Sequence, residues 1–366
     1  MLNFSHITKI ESLFNEMEPE NLSGEPFTPS LHQNEINLDD DSTELEDEEE
    51  ISSISDAKLG PFTELIASNV PVSLAAVDVG VVDLGLTRTG FALAFKGSVV
   101  MQALDGIHTV AKIGPRVKFI TPDNRAEVLR FIGRELMDEQ LDVEILPDGT
   151  LKIKAIAREP HQFKDRIRNF VERMLQVDVA HELQNGILLI DGALTLRTYN
   201  TPQVFLEHLG REVARRNSDI IGVSKKSRVT VNGVHVSALL DGDPIQAGFR
   251  QVIADDAEDS DTAAGGRNLG NLFAMRFAPG GYTFRVDAAR RSLLQTDRDL
   301  LQALYANTHM TLGYPNLLRL AHIHAAFTKA EIVSLQVQAA HDYQVSMRPP
   351  EDLSVIFAPF RKGIGG

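Results

Sequence analysis

The clearest hydrophobic pattern in the chain is an unbroken run of four apolar residues at positions 187–190 (ILLI). Such a run is typical of a strand that is covered on both faces, as in the core of an α/β sheet. The run ends at once in Asp191 and Gly192. Because α/β sheets carry their chemistry at strand ends, Asp191 is a candidate functional carboxylate. A plain strand-terminating aspartate–glycine turn explains the same two residues.

Apolar segments earlier in the chain predict a β-hairpin followed by a third strand. Asp78 lies inside the first of these strands, where a carboxylate is costly unless it is paired or bound to a cation. Asp83, on the same strand, is the competing candidate. The third segment is broken at Gly114-Pro115. The predicted strands are residues 73–86, 89–102 and 108–121, with the hairpin turn at 87–90.

Apolar residues with helical spacing predict several helices. In the longest of them, Leu175, Val179 and Leu183 lie 3, 7 and 11 residues after Glu172, which places Glu172 on the apolar face. A glutamate there is either a residue at the rim of the core or a ligand, and Glu182 is a second candidate. The predicted helices are 124–140, 160–184, 201–216 and 297–307, with a short amphipathic one within 1–20.

A further helix is predicted to start at Gly313-Tyr314-Pro315. Tyr314 and His322 are eight residues apart, which is roughly 12 Å along a helix axis, so both could border one cleft. A histidine on an apolar helix is more often a satisfied core residue than a ligand. His324 is the alternative histidine. A last strand is predicted near residues 354–358.

The densest basic cluster follows the predicted strand 219–224. It consists of Lys225, Lys226 and Arg228. Positive side chains at a strand end can contact the phosphates of a nucleic acid, and a solvated loop explains them equally well.

Composition narrows the class of protein. The 366 residues are 43% hydrophobic, which suits one large domain or two small ones. The absence of cysteine excludes thiolate zinc sites, disulfides and cysteine nucleophiles, and it agrees with a reducing cytoplasm. No signal-peptide pattern, membrane-spanning apolar run, phosphate-binding loop or internal repeat is present in the sequence. We therefore expect a cytoplasmic protein without a membrane partner.

The acidic charge is concentrated in two stretches. Residues 35–50 contain ten acidic residues and residues 255–261 contain five, with no basic residue in either, which together equal the formal net charge of −15. The rest of the chain is therefore about neutral, and nucleic-acid binding is not excluded. We predict a disordered acidic linker over about 21–57, which is either plainly solvated or a DNA-mimicking or partner-binding tail. The expected organisation is an N-terminal helix and linker (1–60) and one domain (61–366) with an acidic insertion (254–268).

Taken together, these segments resemble the NurA family of DNA-end-processing nucleases. The resemblance covers about residues 65–350 without the acidic insertion, and the order and spacing of the motifs carry it. In one respect the chain departs from the family, which often has aspartate-glycine-serine where this chain has Asp78-Val79-Gly80. The matching stretches are AAVDVG (75–80), the helix bearing Glu172, ILLIDGAL (187–194), IIGVSK (220–225) and GYPNLLRLAHIHAAFTKAEI (313–332).

The resemblance implies a ribonuclease-H-like fold, a mixed sheet flanked by helices. It implies Asp78, Glu172 and Asp191 as metal ligands and Tyr314 and His322 as supporting active-site residues. It further implies Mn²⁺ (or Mg²⁺) as the cofactor, 5′→3′ exonuclease and single-strand endonuclease activity, a homodimer, and a HerA-like hexameric ATPase as the partner.

General chemistry agrees with this function. Hydrolysis of a phosphodiester needs an activated water and charge stabilisation at phosphorus, which two divalent ions can supply. Carboxylate oxygens are the ligands that Mg²⁺ and Mn²⁺ prefer. The main alternative is a non-catalytic DNA-binding or regulatory subunit of the same translocase assembly, and Asp78-Val79-Gly80 is its chief support. An unrelated α/β hydrolase is a weaker alternative, because no G-x-S-x-G nucleophile motif is present.

Overall fold

The computed structural model describes residues 5–8, 22–30, 53–66, 70–195, 201–253, 269–291 and 294–347. These residues form a 12-stranded mixed sheet, with helices on both faces, and three small sheets. In the central part of the large sheet the order is β7-β6-β5-β10-β11-β16-β15-β14. The strands are β1 Pro26–Pro29, β2 Ser53–Ile54, β3 Lys58–Leu59, β4 Thr63–Glu64, β5 Ser73–Leu86, β6 Phe91–Gln102, β7 His108–Ile120, β8 Val143–Ile145, β9 Leu151–Ile153, β10 Gly186–Asp191, β11 Asp219–Ser224, β12 Thr230–Val231, β13 Val234–His235, β14 Gly248–Ile253, β15 Asn271–Arg276, β16 Thr283–Ala289, β17 Met310–Thr311, β18 Tyr314–Pro315 and β19 Ser346–Met347.

The helices lie in two layers on either side of this sheet. Helices α3 and α4 cover one face, and α5 and α6 cover the other. The expected ribonuclease-H-like mixed sheet flanked by helices is confirmed, since β5, β10 and β11 run parallel while β6 and β7 form an antiparallel meander beside them. The helices are α1 (residues 5–8), α2 Pro122–Glu135, α3 Pro160–Glu182, α4 Gln203–Arg215, α5 Asp297–Asn307, α6 Asn316–Ala325 and α7 Lys329–Asp342.

Successive side chains of β5 and β10 point to opposite faces of the sheet, and this alternation determines which helical layer each side chain contacts. Ala75, Val77 and Val79 pack with α3, whereas Leu74 and Ala76 pack with α6. Because side chains on a strand alternate between its faces, Asp78 shares the face of Ala76. On β10 the residues 187 and 189 pack with α6, so Asp191 is on that same face. Both candidate carboxylates of the sheet therefore face the α6 layer.

Two predicted helix boundaries differ from the structure. The helix expected over 124–140 ends at Glu135, because Met137 has a left-handed backbone (φ 65°) that interrupts the helix. The helix expected to start at 313–315 begins at Asn316, because Tyr314 and Pro315 pair as a short strand with Met310 and Thr311.

The expectation of disorder throughout 21–57 is wrong for part of that stretch. Residues 26–29 form β1, which pairs with β5 and with β19. The reason is Phe27, whose ring is completely buried against Phe119 and the α7 layer. One aromatic anchor and two strand partners are enough to order this stretch despite its polar surroundings. The acidic run 35–50, the insertion 254–268 and the strand expected at 354–358 lie outside the described residues.

None of the helices that the structure describes combines the length and the apolar character needed to cross a membrane.

Candidate active site

Asp78 and Asp191 lie side by side on adjacent parallel strands. The register of β5 and β10 pairs Ala76 with Leu189. The recorded pairing ends there, and Asp78 and Asp191 each stand two residues further along their strand, on the same face, where their charges interact. These two residues are 113 positions apart in the chain. The parallel pairing of two buried strands therefore brings together two carboxylates that the sequence keeps far apart.

Asp191 is held at the end of β10 by two side chains from other elements. The Lys225 ammonium, just after β11, lies 2.7 Å from Oδ2 of Asp191. The Tyr314 hydroxyl donates to Oδ1 at 3.0 Å. Lys225 also lies over the Tyr314 ring, 5.1 Å from its centroid. Asp191 is thus part of a polar cluster rather than a plain turn residue, although Gly192 does turn the chain with a positive φ of 126°.

Asp78 has partners on both of its oxygens. Nδ1 of His322, on α6, lies 2.9 Å from Oδ2. Arg168, on α3, approaches Oδ1 at 3.8 Å and donates from Nε to the Val79 carbonyl at 3.0 Å. The Val79 amide donates to Oδ1 at 2.7 Å. Asp78 therefore links the two helical layers through the sheet.

Glu172 approaches these carboxylates from the α3 layer. It is buried, and Gln176, one turn later on α3, donates to its Oε1 at 2.9 Å. Arg173 lies 3.8 Å from the same oxygen and also donates to Oε1 of the Gln176 side-chain amide at 2.8 Å. Glu172 therefore has a neutral hydrogen-bond donor at close range, while its cationic neighbours Arg173 and Arg168 act on it through their charge.

The pKa values of the three carboxyl groups diverge accordingly. Burial raises the pKa of Glu172 to about 7; Arg173 opposes this shift, and the charges of Asp78 and Asp191 add to it. Burial also raises the pKa of Asp191, against the opposing charge of Lys225. For Asp78, burial is outweighed by the hydrogen bond with His322 and the charge of Arg168, so its pKa is lowered. The three carboxyl groups therefore interact electrostatically as one cluster.

The donor set of this cluster suits a hard divalent cation. Two of the carboxyl groups, Asp78 and Glu172, are buried and Asp191 is partly buried, and a cation between them would stabilise their charged forms. The hydroxyl of Ser98, opposite Asp78 on β6, is fully buried and has no hydrogen-bond partner among the residues that the structure describes. The three carboxylates are not among the groups of described residues whose ligand atoms all lie within 4.8 Å of one another. Each is instead drawn toward its own polar partner, as expected for like charges.

The other candidates from the sequence lie outside this cluster. Asp83 pairs with Lys164 at 3.3 Å, and Glu182 is exposed at the end of α3. His324 is two residues beyond His322, near Lys96 and Lys112. Lys226 and Arg228 are exposed, so only Lys225 of the basic cluster contacts the carboxylates. The sequence analysis missed Arg168 and Gln176, although each lies four residues from Glu172, which is the spacing of neighbours on one helix face.

Gly80 sets how closely α6 can approach β5. A Cβ atom at this position would lie 2.2 Å from the carbonyl oxygen of Ala325, at the end of α6. Any side chain here would therefore push away the helix that carries His322. The departure from aspartate-glycine-serine at this motif has a structural reason in this chain, since a serine at position 80 would collide with α6.

We expect Gly80→Ala to weaken both stability and the His322–Asp78 contact. The added methyl group meets backbone, which cannot rotate away, so the free energy of unfolding should fall by about 1–3 kcal/mol. Urea unfolding measures this change. Gly242→Ala is the matched control, since a Cβ there meets nothing within 4 Å. Equal stability of the two variants would contradict the tight approach of α6.

Comparisons with known proteins match one family model to the chain and find several similar solved structures. A family model described as NurA domain matches residues 72–327. The NurA nuclease from Sulfolobus solfataricus is similar in structure, with 13% identity over 93% of this chain and 95% of that chain and a TM-score of 0.48. A structure of NurA with manganese matches with 12% identity over 92% of this chain and 97% of that chain (TM-score 0.35). Endonuclease V from Bacillus subtilis matches with 12% identity over 77% of this chain and 88% of that chain (TM-score 0.36). No curated protein matches.

Proposed function

The chain belongs to the NurA family of nucleases, and we propose that it is a divalent-metal-dependent deoxyribonuclease that processes DNA ends. The observation that carries this proposal is the cluster of Asp78, Asp191 and Glu172, supplied by two adjacent strands and one helix. Its proposed activities are 5′→3′ exonuclease and single-strand endonuclease cleavage by hydrolysis of phosphodiester bonds.

Asp78, Glu172 and Asp191 would hold the metal, with Mn²⁺ as the proposed ion and Mg²⁺ as the alternative. Their hard oxygen donors support this assignment. When bound, such ions activate a water and stabilise the charge that develops on the phosphate. The pKa of Glu172, raised to about 7, means that this carboxyl group holds a proton in mildly acidic solution, which a bound cation would displace.

The neighbouring side chains have distinct roles in this proposal. His322, hydrogen-bonded to Asp78, is placed to carry a proton to or from the reacting groups. Tyr314 orients the carboxylate of Asp191 through its hydroxyl. Lys225 supplies positive charge beside Asp191, where a phosphate would approach. Lys226 and Arg228 are exposed on the same loop and extend this charge toward the DNA backbone.

The proposed assembly follows from family membership rather than from a contact in the chain. We expect a homodimer that works with a HerA-like hexameric ATPase, which would feed DNA to the nuclease in the cytoplasm. Analytical ultracentrifugation of the chain with and without such an ATPase tests this assembly.

The competing function is a non-catalytic DNA-binding or regulatory subunit of the same assembly. A nuclease assay separates the two, using end-labelled double-stranded and single-stranded DNA with Mn²⁺, Mg²⁺ or chelator, each with and without the partner ATPase. Cleavage that requires a divalent ion supports the nuclease. Absence of cleavage with every metal and with the partner would favour the non-catalytic subunit.

We expect His322→Gln to lower the single-turnover cleavage rate by roughly 100-fold or more, the range found for general acid–base groups. Glutamine keeps a polar side chain near Asp78 but cannot transfer protons at neutral pH. His324→Gln is the matched control, since His324 is on the same helix and has no contact with Asp78 among the described hydrogen bonds. Equal rates for the wild type and His322→Gln would contradict the proton-transfer role.

A further inference from the structure

A second cluster of metal-ligating side chains lies where α1 packs on α3. It consists of His6, Asp178 and His181, whose ligand atoms all lie within 4.8 Å of one another. Nδ1 of His6 is 2.6 Å from Oδ1 of Asp178, and the rings of His6 and His181 are 5.7 Å apart. Among the described residues, this is the one group of three such side chains gathered this tightly.

Asp178 anchors α1 without any metal. Its side chain is almost completely buried, and its oxygens accept the backbone N–H groups of His6 and Ile7 at 3.2 and 3.4 Å. The Ser5 hydroxyl donates to it at 3.2 Å. Ile7 is buried in the main core. These contacts explain why α1 docks, but they give no reason for a second imidazole beside the first.

The residues around His181 are those expected of a metal-binding histidine. Oε2 of Glu212, on α4, lies 3.3 Å from Nε2 of His181, and the Glu212 side chain is itself buried. In metal sites, a ligating histidine commonly has a carboxylate beside the ring nitrogen that does not bind the metal, which fixes the orientation of the ring. The His6 and His181 side chains are 28% and 37% exposed, so one side of the cluster is open to water.

We propose that His6, Asp178 and His181 bind one transition-metal ion, of the kind that prefers two imidazoles and one carboxylate, such as Zn²⁺. Such a set leaves a position for water in a tetrahedral site. Asp178 lies six residues beyond Glu172 on α3, which is about 9 Å along the helix axis. The ion would therefore fasten α1 to the helix that carries Glu172, at a site separate from the proposed nuclease centre and independent of its function.

The test measures the number of zinc ions bound per molecule of the full-length chain without an affinity tag. Chelator-treated protein is dialysed against micromolar Zn²⁺ in excess Mg²⁺, which competes for the hard-oxygen cluster, and bound zinc is measured by elemental analysis. The wild type should bind one zinc ion more than His6→Ala or His181→Ala. The control His341→Ala should bind as the wild type does, because His341 is highly exposed on α7. Glu212→Gln should weaken the affinity by roughly 10–100-fold.

A double variant, Asp78→Asn with Asp191→Asn, separates the two sites. It should retain this zinc ion, and Co²⁺ bound in its place should give visible absorption that His6→Ala lacks. If the wild type and the double variant bind no more zinc than His6→Ala does, the cluster is only a hydrogen-bonded anchor for α1 and the proposal is wrong. Circular dichroism of each variant verifies its fold. If His6→Ala does not fold, His181→Ala takes its place in the comparison, and a wild type that binds no zinc overturns the proposal whatever the variants do.

Discussion

Asp78→Asn and Asp191→Asn should each lower the rate of Mn²⁺-dependent DNA cleavage by more than about 100-fold. Loss of an outer-shell partner of a metal ligand already costs roughly 10–100-fold, so loss of a proposed ligand should cost more. Asparagine has the same shape as aspartate, so packing between the sheet and α6 is kept. At Asp191 burial disfavours the charged carboxylate, so the neutral asparagine should leave the fold intact. At Asp78, whose pKa is lowered, the loss of the charge should cost some stability without unfolding the chain.

The measurement is the single-turnover rate on end-labelled DNA over a range of Mn²⁺ concentrations, with circular dichroism to verify the fold. Asp83→Asn is the matched control, because Asp83 lies on β5 with Asp78 but pairs with Lys164 instead. We expect the control to cleave at a rate close to that of the wild type. Full activity in both Asp78→Asn and Asp191→Asn would refute the proposed centre.

Without divalent metal, the free energy of unfolding should fall as the pH rises from about 4.5 to about 7, because of Glu172. Its pKa is about 7 in the folded chain and near the ordinary glutamate value of 4.5 in the unfolded chain. Between these values the folded state binds more protons than the unfolded state, so stability decreases with rising pH. The contribution of Glu172 is on the order of 3 kcal/mol and is fully lost above pH 7.

Glu172→Gln should remove this dependence, since glutamine does not titrate. The free energy of unfolding is measured by urea unfolding of the wild type and the variant in chelator, at pH 5 and at pH 8. The change between these pH values in the wild type, minus the change in the variant, is the contribution of Glu172. With metal present, the free energy of unfolding should instead rise with pH over this range, because a bound cation favours the ionised carboxylate. Mn²⁺ binding to the wild type should therefore weaken from pH 8 to pH 6. An identical pH dependence in the two proteins would contradict the raised pKa.

The elements that the sequence predicts well are those whose pattern is local. The apolar run 187–190 and the β11 segment contain their own strand signal, and α5 has the predicted bounds 297–307, with Thr296 capping its start. In contrast, β1 depends on the burial of Phe27 by residues far along the chain. No local pattern contains that contact, so the polar composition of the tract was misleading.

The same distinction applies to the candidate site. A carboxylate on an apolar strand or helix face is costly unless it is paired or bound to a cation, and this makes Asp78, Asp191 and Glu172 noticeable in the sequence. The partners that hold them do not stand out, because Gln176 and Arg168 are ordinary residues on a helix surface. The role of Lys225 as the counter-ion of Asp191 depends on the pairing of β10 with β11. The second cluster was missed because His6 is 172 residues from Asp178.

The pairing of β5 with β10 makes the spacing within each strand as important as the identity of its residues. One residue inserted or deleted between the paired segment of β10 and Asp191 would turn that carboxylate to the opposite face, toward α3 and α4, while the apolar run could still pair. Length changes inside these two strands should therefore be tolerated far less than substitutions among Val, Ile and Leu. Homologous chains that keep the activity should show gaps in the loops and an invariant count of residues along β5 and β10.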